Sequence, residues 1–196
     1  MERKKLDIKY NQLAKRIETI KKHFNFTPTI SGLTDLQTDK IRGMLLLCHA
    51  EFEAHIEGLA LLLVEDAYDK WNRTKKANRI MASLFVEAEK INTKDSIETK
   101  VGKIVSDYKR KIVKNNHGIK ASNISTIFKP LGYDTDDFDS AFIATIESFG
   151  ADRGLVAHTS AKSTTSMYDQ ATEINRIDTI LQGILDFQEE LLKKTN

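Results

Sequence analysis

Two side chains in the last third of the chain, Arg153 and His158, have types that suit phosphate chemistry. The residues before them form one apolar stripe of a helix at steps of three and four: Phe138, Phe142, Ile146 and Phe149. The next step of four lands on Arg153, so an arginine occupies a position where the pattern predicts a core residue. Arginine binds phosphate through paired, charge-assisted hydrogen bonds, and histidine exchanges protons near neutral pH. The pair therefore indicates a site for binding or cleaving a phosphate ester.

The spacing alone does not bring the two side chains together. In an ideal helix, residues five positions apart point about 140° away from each other. They converge only if the helix frays or turns near Ala157, before the Ser/Thr-rich loop at 159–166, or if a second chain supplies a partner. The alternative, a helix-end arginine that reaches to solvent and a surface histidine, stays open. Arginine and histidine also stand seven residues apart at 16/23, 42/49 and 110/117.

The segments that must position these residues have apolar residues at helical spacing. Only two prolines and nine glycines interrupt the chain, and apolar stripes at helical steps predict an all-α, up-and-down bundle with additional short helices. The second helix is apolar nearly all round in its first half, which predicts a central place in the bundle. Gly118 is predicted to end the fourth helix in a left-handed conformation. The predicted helices cover 6–24, Asp35 or Thr38 to about Trp71, 78–91, 96–114, a short helix from Ser122 or Asn123 to Pro130, a helix capped by Asp134 or Thr135 that carries Phe138, and 174–192.

Length and composition limit the class of protein. A chain of 196 residues with 40% hydrophobic and 30% charged residues is typical of one globular domain. We expect an N-terminal helix and linker at 1–34 and the bundle with the Arg…His pair at 35–196. The single cysteine, Cys48, excludes an intramolecular disulfide and a cysteine-based zinc site. The longest apolar runs, such as 59–64, are too short to span a bilayer. We therefore expect a cytoplasmic protein that is not bound to a membrane.

Polar residues on the predicted central helix are a second notable feature. Glu53 lies on a helix that is otherwise largely buried, between His49 and His55. A His-Glu-His metal site would need one shared helix face, and the step of two to His55 points away from it. We therefore expect histidines that are hydrogen-bonded inside the bundle, and neither a metal ion nor another cofactor.

Basic residues are concentrated between residues 70 and 120, although the net charge is only +2. Such a surface could bind a polyanion such as RNA, and it could equally be a solvated helix face. The residues that would carry RNA binding are Lys109, Arg110, Lys111 and Lys114.

Three stretches of the sequence resemble HEPN domains of the RiboL-PSP type. The most informative is Arg153-Gly154-Leu155-Val156-Ala157-His158-Thr159-Ser160, which is similar to the Arg-Gly-x-x-Ala-His-Thr-Ser signature of that family. His49-Ala50-Glu51-Phe52-Glu53-Ala54-His55 looks like the family's acidic segment in the second long helix. Asn116-His117-Gly118-Ile119-Lys120 and the later Pro130-Leu131-Gly132 look like its middle region.

The resemblance implies a helical bundle that usually dimerises, so that two Arg…His motifs face each other and form one composite site. Many such domains are metal-independent endoribonucleases, commonly toxins or antiviral effectors. On this sequence, Arg153 would bind the scissile phosphate and His158 would transfer protons, which leaves a 2′,3′-cyclic phosphate. Supporting roles would fall to Asp152 and Glu53, which could orient the pair, and to Thr159 and Ser160.

The resemblance also allows a second class of function. Other HEPN domains have lost activity and serve as modules that bind RNA or a protein partner. An antitoxin or a defence-system protein is a further expected partner. Ser160, however, stands where toxins silenced by a nucleotidyltransferase antitoxin carry a tyrosine. A small-molecule sensor is a third hypothesis, which only the acidic residues of the central helix support.

Overall fold

The computed structural model describes residues 3–27, 32–88, 94–158 and 168–193, without the side chains of 113–115 and 155–158. The described residues form helices and no strands, which confirms the predicted all-α bundle with additional short helices. The helices are α1 (Arg3–Phe24), α2 (Asp35–Thr74), α3 (Arg79–Glu87), α4 (Ile97–Asn115), α5 (Ala121–Phe128), α6 (Ser140–His158) and α7 (Gln170–Lys193). Two 3₁₀ turns, Lys129–Leu131 and Thr135–Asp137, stand between α5 and α6.

Side chains with oxygen acceptors begin several of the helices. Asn78 and Ser96, at which the third and fourth helices are predicted to start, are the caps of α3 and α4. The cap of α2 is Thr34 rather than the predicted Asp35 or Thr38. Thr34 accepts from the backbone of Gln37, whose own side chain accepts from the Thr34 backbone N–H. These two reciprocal hydrogen bonds satisfy two backbone N–H groups at once. A cap at Asp35 would not form the same pair of bonds with Gln37.

The start of α6 differs from the prediction. Asp134 caps the short 3₁₀ turn Thr135–Asp137, and the α-helix begins only at Ser140. The carboxylate of Asp139 accepts from the backbone N–H of Phe142 at 2.7 Å, so a second N-terminus forms there. Phe138 thus precedes α6 instead of lying on it, yet its ring is buried in the core.

The prediction of a left-handed glycine at the end of α4 is also wrong. The capping residue is Asn116, which has an ordinary negative φ, and its N–H bonds to the carbonyl of Ile112. Gly118 has a φ of +155°, but it lies in the loop that leads to α5.

The core is built around α2, as its apolar surface predicts. Helices α1, α3, α4, α5, α6 and α7 all pack against it. Its buried side chains include Ile41, Met44, Leu45, Cys48, Phe52, Ile56, Leu59 and Leu63. Two glycines allow close helix contacts: a Cβ on Gly43 would lie 2.7 Å from the Phe24 ring of α1, and one on Gly183 of α7 would lie 2.3 Å from the Phe142 ring of α6.

Three polar residues of α2 bond to side chains outside this helix. The Nε2 atoms of His55 and of Gln188 on α7 lie 3.2 Å apart, within hydrogen-bonding distance, as predicted for a histidine inside the bundle. Glu51 accepts from Arg16 of α1 at 2.8 Å. Glu57 accepts from the amide of Asn116 at 2.7 Å. None of the helices within the described ranges combines the length and apolarity of a membrane span.

Candidate active site

Helix α6 carries both residues of the predicted motif. Its backbone is helical through Ala157 to His158, so it neither frays nor turns at Ala157. The two backbone positions are therefore about 140° apart around the helix axis. The side chain of His158 lies outside the described part of the chain, as do Thr159 and Ser160.

Arg153 is half-buried and faces α2. Its positive charge acts on His49 and Glu53, which lie one turn apart on that helix. The arginine that interrupts the apolar stripe thus has a polar histidine and a carboxylate within the range of its charge. These polar groups make a charge at this position of α6 less unfavourable than an entirely apolar surrounding would.

His49 is neutral at physiological pH. Its side chain is 2% exposed, and its ring stacks on Phe149 with centroids 6.3 Å apart and planes 13° apart. Burial, and then the charge of Arg153, lower the pKa of His49 to about 4. A neutral imidazole beside the guanidinium avoids a second buried positive charge.

Glu53 is the half-buried carboxylate of the site. One of its oxygens, Oε2, lies 3.6 Å from Nδ1 of His49. Burial and the charge of Glu57 raise the pKa of Glu53. Arg153, the backbone N–H of Gly118 and the charge of His117 act in the opposite direction. The role of Glu53 in orienting Arg153 stays a prediction, and the charge of Arg153 lowers the pKa of this carboxylate.

Asp152 contacts a different arginine. Its carboxylate accepts from Arg176 of α7 at 2.7 Å. Arg176 also pairs with Glu173 at 2.9 Å and bonds to the hydroxyl of Ser148. Its guanidinium lies 5.7 Å from the centroid of the Phe149 ring. Asp152 is thus next to Arg153 in sequence but ties α6 to α7, and its supporting role in catalysis stays a prediction.

A comparison with family models supplies the assignment that the geometry alone does not. The RiboL-PSP-HEPN model matches residues 11–195. The chain belongs to the RiboL-PSP-HEPN family. No curated protein matched the chain, and no solved structure did either.

The basic residues of this HEPN domain are partly neutralised. Lys109 pairs with Glu65 at 2.8 Å, and Arg110 with Asp107 at 2.7 Å. Lys111 is exposed, and the side chain of Lys114 lies outside the part of the chain that the structure describes. Because ion pairs reduce the charge available to an RNA, the stretch from 109 to 114 is less suited to polyanion binding than its sequence indicates.

No group of three or more His, Cys, Asp or Glu side chains in the described ranges is arranged to hold a metal ion. His55 lies against α7 rather than beside His49 and Glu53, in agreement with the two-residue step that separates it from Glu53.

Sequence reasoning missed two features of the HEPN site. Arg176 stands three residues after Glu173, a spacing that indicates an ion pair within a helix, but nothing in that spacing points to Asp152. The effect of the Gly118 backbone N–H on the pKa of Glu53 joins residues 65 positions apart. It depends on the packing of a loop against α2, which no local pattern indicates.

Proposed function

We propose that this HEPN domain is a metal-independent endoribonuclease that cleaves RNA through a composite site at a homodimer interface. The observation that carries the proposal is the placement of Arg153. The motif arginine of a RiboL-PSP-HEPN chain lies half-buried at the end of α6, beside a neutral histidine and a carboxylate on α2. A half-buried guanidinium in this position is suited to binding a phosphodiester and to stabilising the charge that develops on it.

The proposed reaction uses the RNA's own hydroxyl. The ribose 2′-oxygen attacks phosphorus as it loses its proton, the bond to the 5′-oxygen breaks, and that oxygen gains a proton. The products are a 2′,3′-cyclic phosphate and a 5′-hydroxyl. His158 would transfer one of the protons. DNA lacks the 2′-hydroxyl, so it would not be cleaved.

Helix geometry supports a site built from two copies of the chain. Because α6 stays helical through His158, the motif residues of one protomer lie on different sides of the helix. Gly154 adds room on this helix, since a Cβ there would have no described atom within 4 Å. A second α6 could approach closely at that point.

The biological role that we propose is that of a toxin or phage-defence effector, with RNA as substrate and an antitoxin or defence-system protein as a further partner. It rests on family membership, because many HEPN ribonucleases act in this way. Cleavage-dependent growth arrest on expression in bacteria, absent with Arg153→Ala, would be its expected consequence.

The decisive experiment is incubation of total cellular RNA with the purified protein in excess EDTA, beside Arg153→Ala and His158→Ala. We expect the wild type to cleave and to leave cyclic-phosphate ends, and both variants to lose at least about a hundredfold in rate. Lys22→Ala, an exposed change on α1, is the control for preparation and folding. Cleavage that requires a divalent ion, or that survives in both motif variants, would contradict the proposal.

The alternative is a non-catalytic module that binds RNA or a protein through α4. The exposed Lys111 favours it, whereas the ion pairs of Lys109 and Arg110 weaken it. A folded, dimeric wild type that binds RNA without cutting it, and that loses binding with Lys111→Glu, would favour this alternative.

A further inference from the structure

An exposed aromatic ring lies against the ion pairs that join α6 to α7. Tyr168 stands two residues before α7 begins, and it is 52% exposed. The centroid of its ring lies 5.0 Å from the guanidinium carbon of Arg176. A cation thus covers one part of the ring, and the exposed part is open to a flat ligand.

The backbone that follows Tyr168 is held in place by two side chains. The carboxylate of Asp169 caps α7 by accepting from the backbone N–H of Thr172 at 2.9 Å. Gln170 is 6% exposed, and its side-chain amide donates to the carbonyl of Phe24 on α1 at 3.1 Å. Because a tyrosine has few rotatable bonds, a ring on a fixed backbone loses little entropy when it binds a ligand.

The arginine that backs the ring leaves no net positive charge for a phosphate. Arg176 donates to Asp152 of α6 at 2.7 Å and to Glu173 at 2.9 and 3.1 Å. Two carboxylates thus bond to one guanidinium, and the side chain of Arg176 is only 15% exposed. This charge balance favours a neutral, flat ligand at Tyr168, such as a nucleobase, over a phosphate.

The motif arginine lies in the same part of the molecule as this ring. Asp152 directly precedes Arg153, and contacts of 5.0 and 2.7 Å link the ring of Tyr168 to Arg176 and Arg176 to Asp152. With about 3.8 Å between consecutive Cα atoms, the ring lies within roughly 16 Å of the Arg153 Cα atom. The sugar–phosphate chain of an RNA bound at Arg153 is long enough to bring a base a few nucleotides away to Tyr168.

We propose that Tyr168 is a binding site for a base of single-stranded RNA, which stacks on the exposed part of its ring. The inference rests on the ribonuclease function proposed above, and the base belongs to a nucleotide near the cleaved phosphodiester. Aromatic side chains that bind single strands in this way accept any base, because every base has a π-face. The guanidinium behind the ring adds a cation–π contribution. Paired RNA is disfavoured at this site, since its bases are already stacked on one another.

Binding of an uncleavable strand tests the proposal apart from catalysis. The probes are a short 2′-O-methyl oligoadenylate, which lacks the attacking hydroxyl, and the same sugar–phosphate chain without bases. We expect Tyr168→Leu to weaken binding of the oligoadenylate about fivefold to a hundredfold, because an aliphatic side chain covers Arg176 but cannot stack. Tyr168→Phe should bind it within about twofold of the wild type. Neither variant should change the affinity for the chain without bases.

A tryptophan at this position reports the stacking directly. The protein has one tryptophan, Trp71, which is 4% exposed. In Tyr168→Trp, the oligoadenylate should quench the added fluorescence, and the chain without bases should not. Val86→Trp, at a position of α3 that is 85% exposed, is the matched control and should be quenched by neither probe.

The proposal is overturned if Tyr168→Leu binds the oligoadenylate within about twofold of the wild type, or if the wild type does not bind it. Equal loss of affinity for both probes also overturns it, because Tyr168 would then act only by covering Arg176. If Tyr168→Leu does not fold, quenching in Tyr168→Trp decides. The ribonuclease assignment is judged separately, by cleavage of total RNA in EDTA. A protein that binds bases through Tyr168 without cleaving RNA loses only that assignment.

Discussion

Buried histidines link the stability of this domain to pH. Burial and the charges of nearby cations lower the pKa of both His49 and His55 to about 4, against about 6.5 in an unfolded chain. The unfolded state thus binds more protons between these values, and stability falls as the pH falls from 6.5 towards 4. We expect each histidine to lower the free energy of unfolding by about 2 kcal/mol when the pH falls from 7 to 5.

Urea unfolding of the wild type and of His55→Gln at several pH values tests this. Glutamine can still bond to Gln188 but does not titrate in this range. We expect a flatter pH dependence in the variant, with the difference appearing between pH 6.5 and 4. Parallel curves for the two proteins would show that His55 is not a source of acid sensitivity.

Among the residues of the described ion pairs, Arg176 is the one whose replacement should lower the free energy of unfolding most. It is the cation beside Glu173, which is 2% exposed. Without it, a carboxylate stays buried beside no positive charge, so Arg176→Met should lower the free energy of unfolding by about 3–5 kcal/mol. Arg110→Met removes an exposed pair and should cost at most about 1 kcal/mol.

The double variant Arg176→Met/Glu173→Gln separates charge from packing. We expect it to regain much of the lost stability in chemical denaturation, since the uncompensated charge is gone. A double variant no more stable than Arg176→Met would mean that Arg176 stabilises the fold by packing on Phe149 rather than by its charge.

At the scale of elements, α6 is positioned by its close contact with α7. A Cβ on Gly183 would lie 2.3 Å from the buried Phe142 ring. Gly183→Ala should therefore destabilise the domain by about 1–3 kcal/mol, although alanine is the better helix former. Gly102→Ala on α4 is the control, because its Cβ would make only an ordinary 3.4 Å contact with Tyr68. Thermal melting should show a fall for Gly183→Ala and a small rise for Gly102→Ala, and a rise for both would contradict the described α6–α7 packing.

Much of this element layout is predictable from apolar periodicity. The stripe of α6 predicts a helix, and the arginine that interrupts it is visible in the same pattern. The first residue of each helix is less predictable, because short polar residues compete for the capping position. Asp134 and Asp139 do so before α6. The partner of Asp152 could not be predicted, since Arg176 is 24 residues away and meets it only through the register of α6 on α7.

At the scale of the whole molecule, the proposed composite site requires self-association through the face of α6 that carries Gly154. Gly154→Leu places a large side chain where no described atom of the same chain lies within 4 Å, so the protomer should fold. We expect the wild type to sediment as a dimer and Gly154→Leu as a monomer without RNA cleavage. Ser106→Leu, at an exposed position of α4, controls for added apolar surface. A dimer that persists in Gly154→Leu would place the interface elsewhere.

The contact between Glu147 and Ala121 has a consequence for the order of folding. Helix α5 has only eight residues, and its capping residue Lys120 offers no side-chain bond to its first N–H groups. A helix so short does not persist alone in water. The acceptor at its N-terminus is the carboxylate of Glu147 on α6. The negative charge of this carboxylate also interacts favourably with the positive end of the helix dipole. We therefore expect residues 116–128 to acquire their final conformation only after α6 has docked, which would make the loop before α5 one of the last parts of the domain to fold.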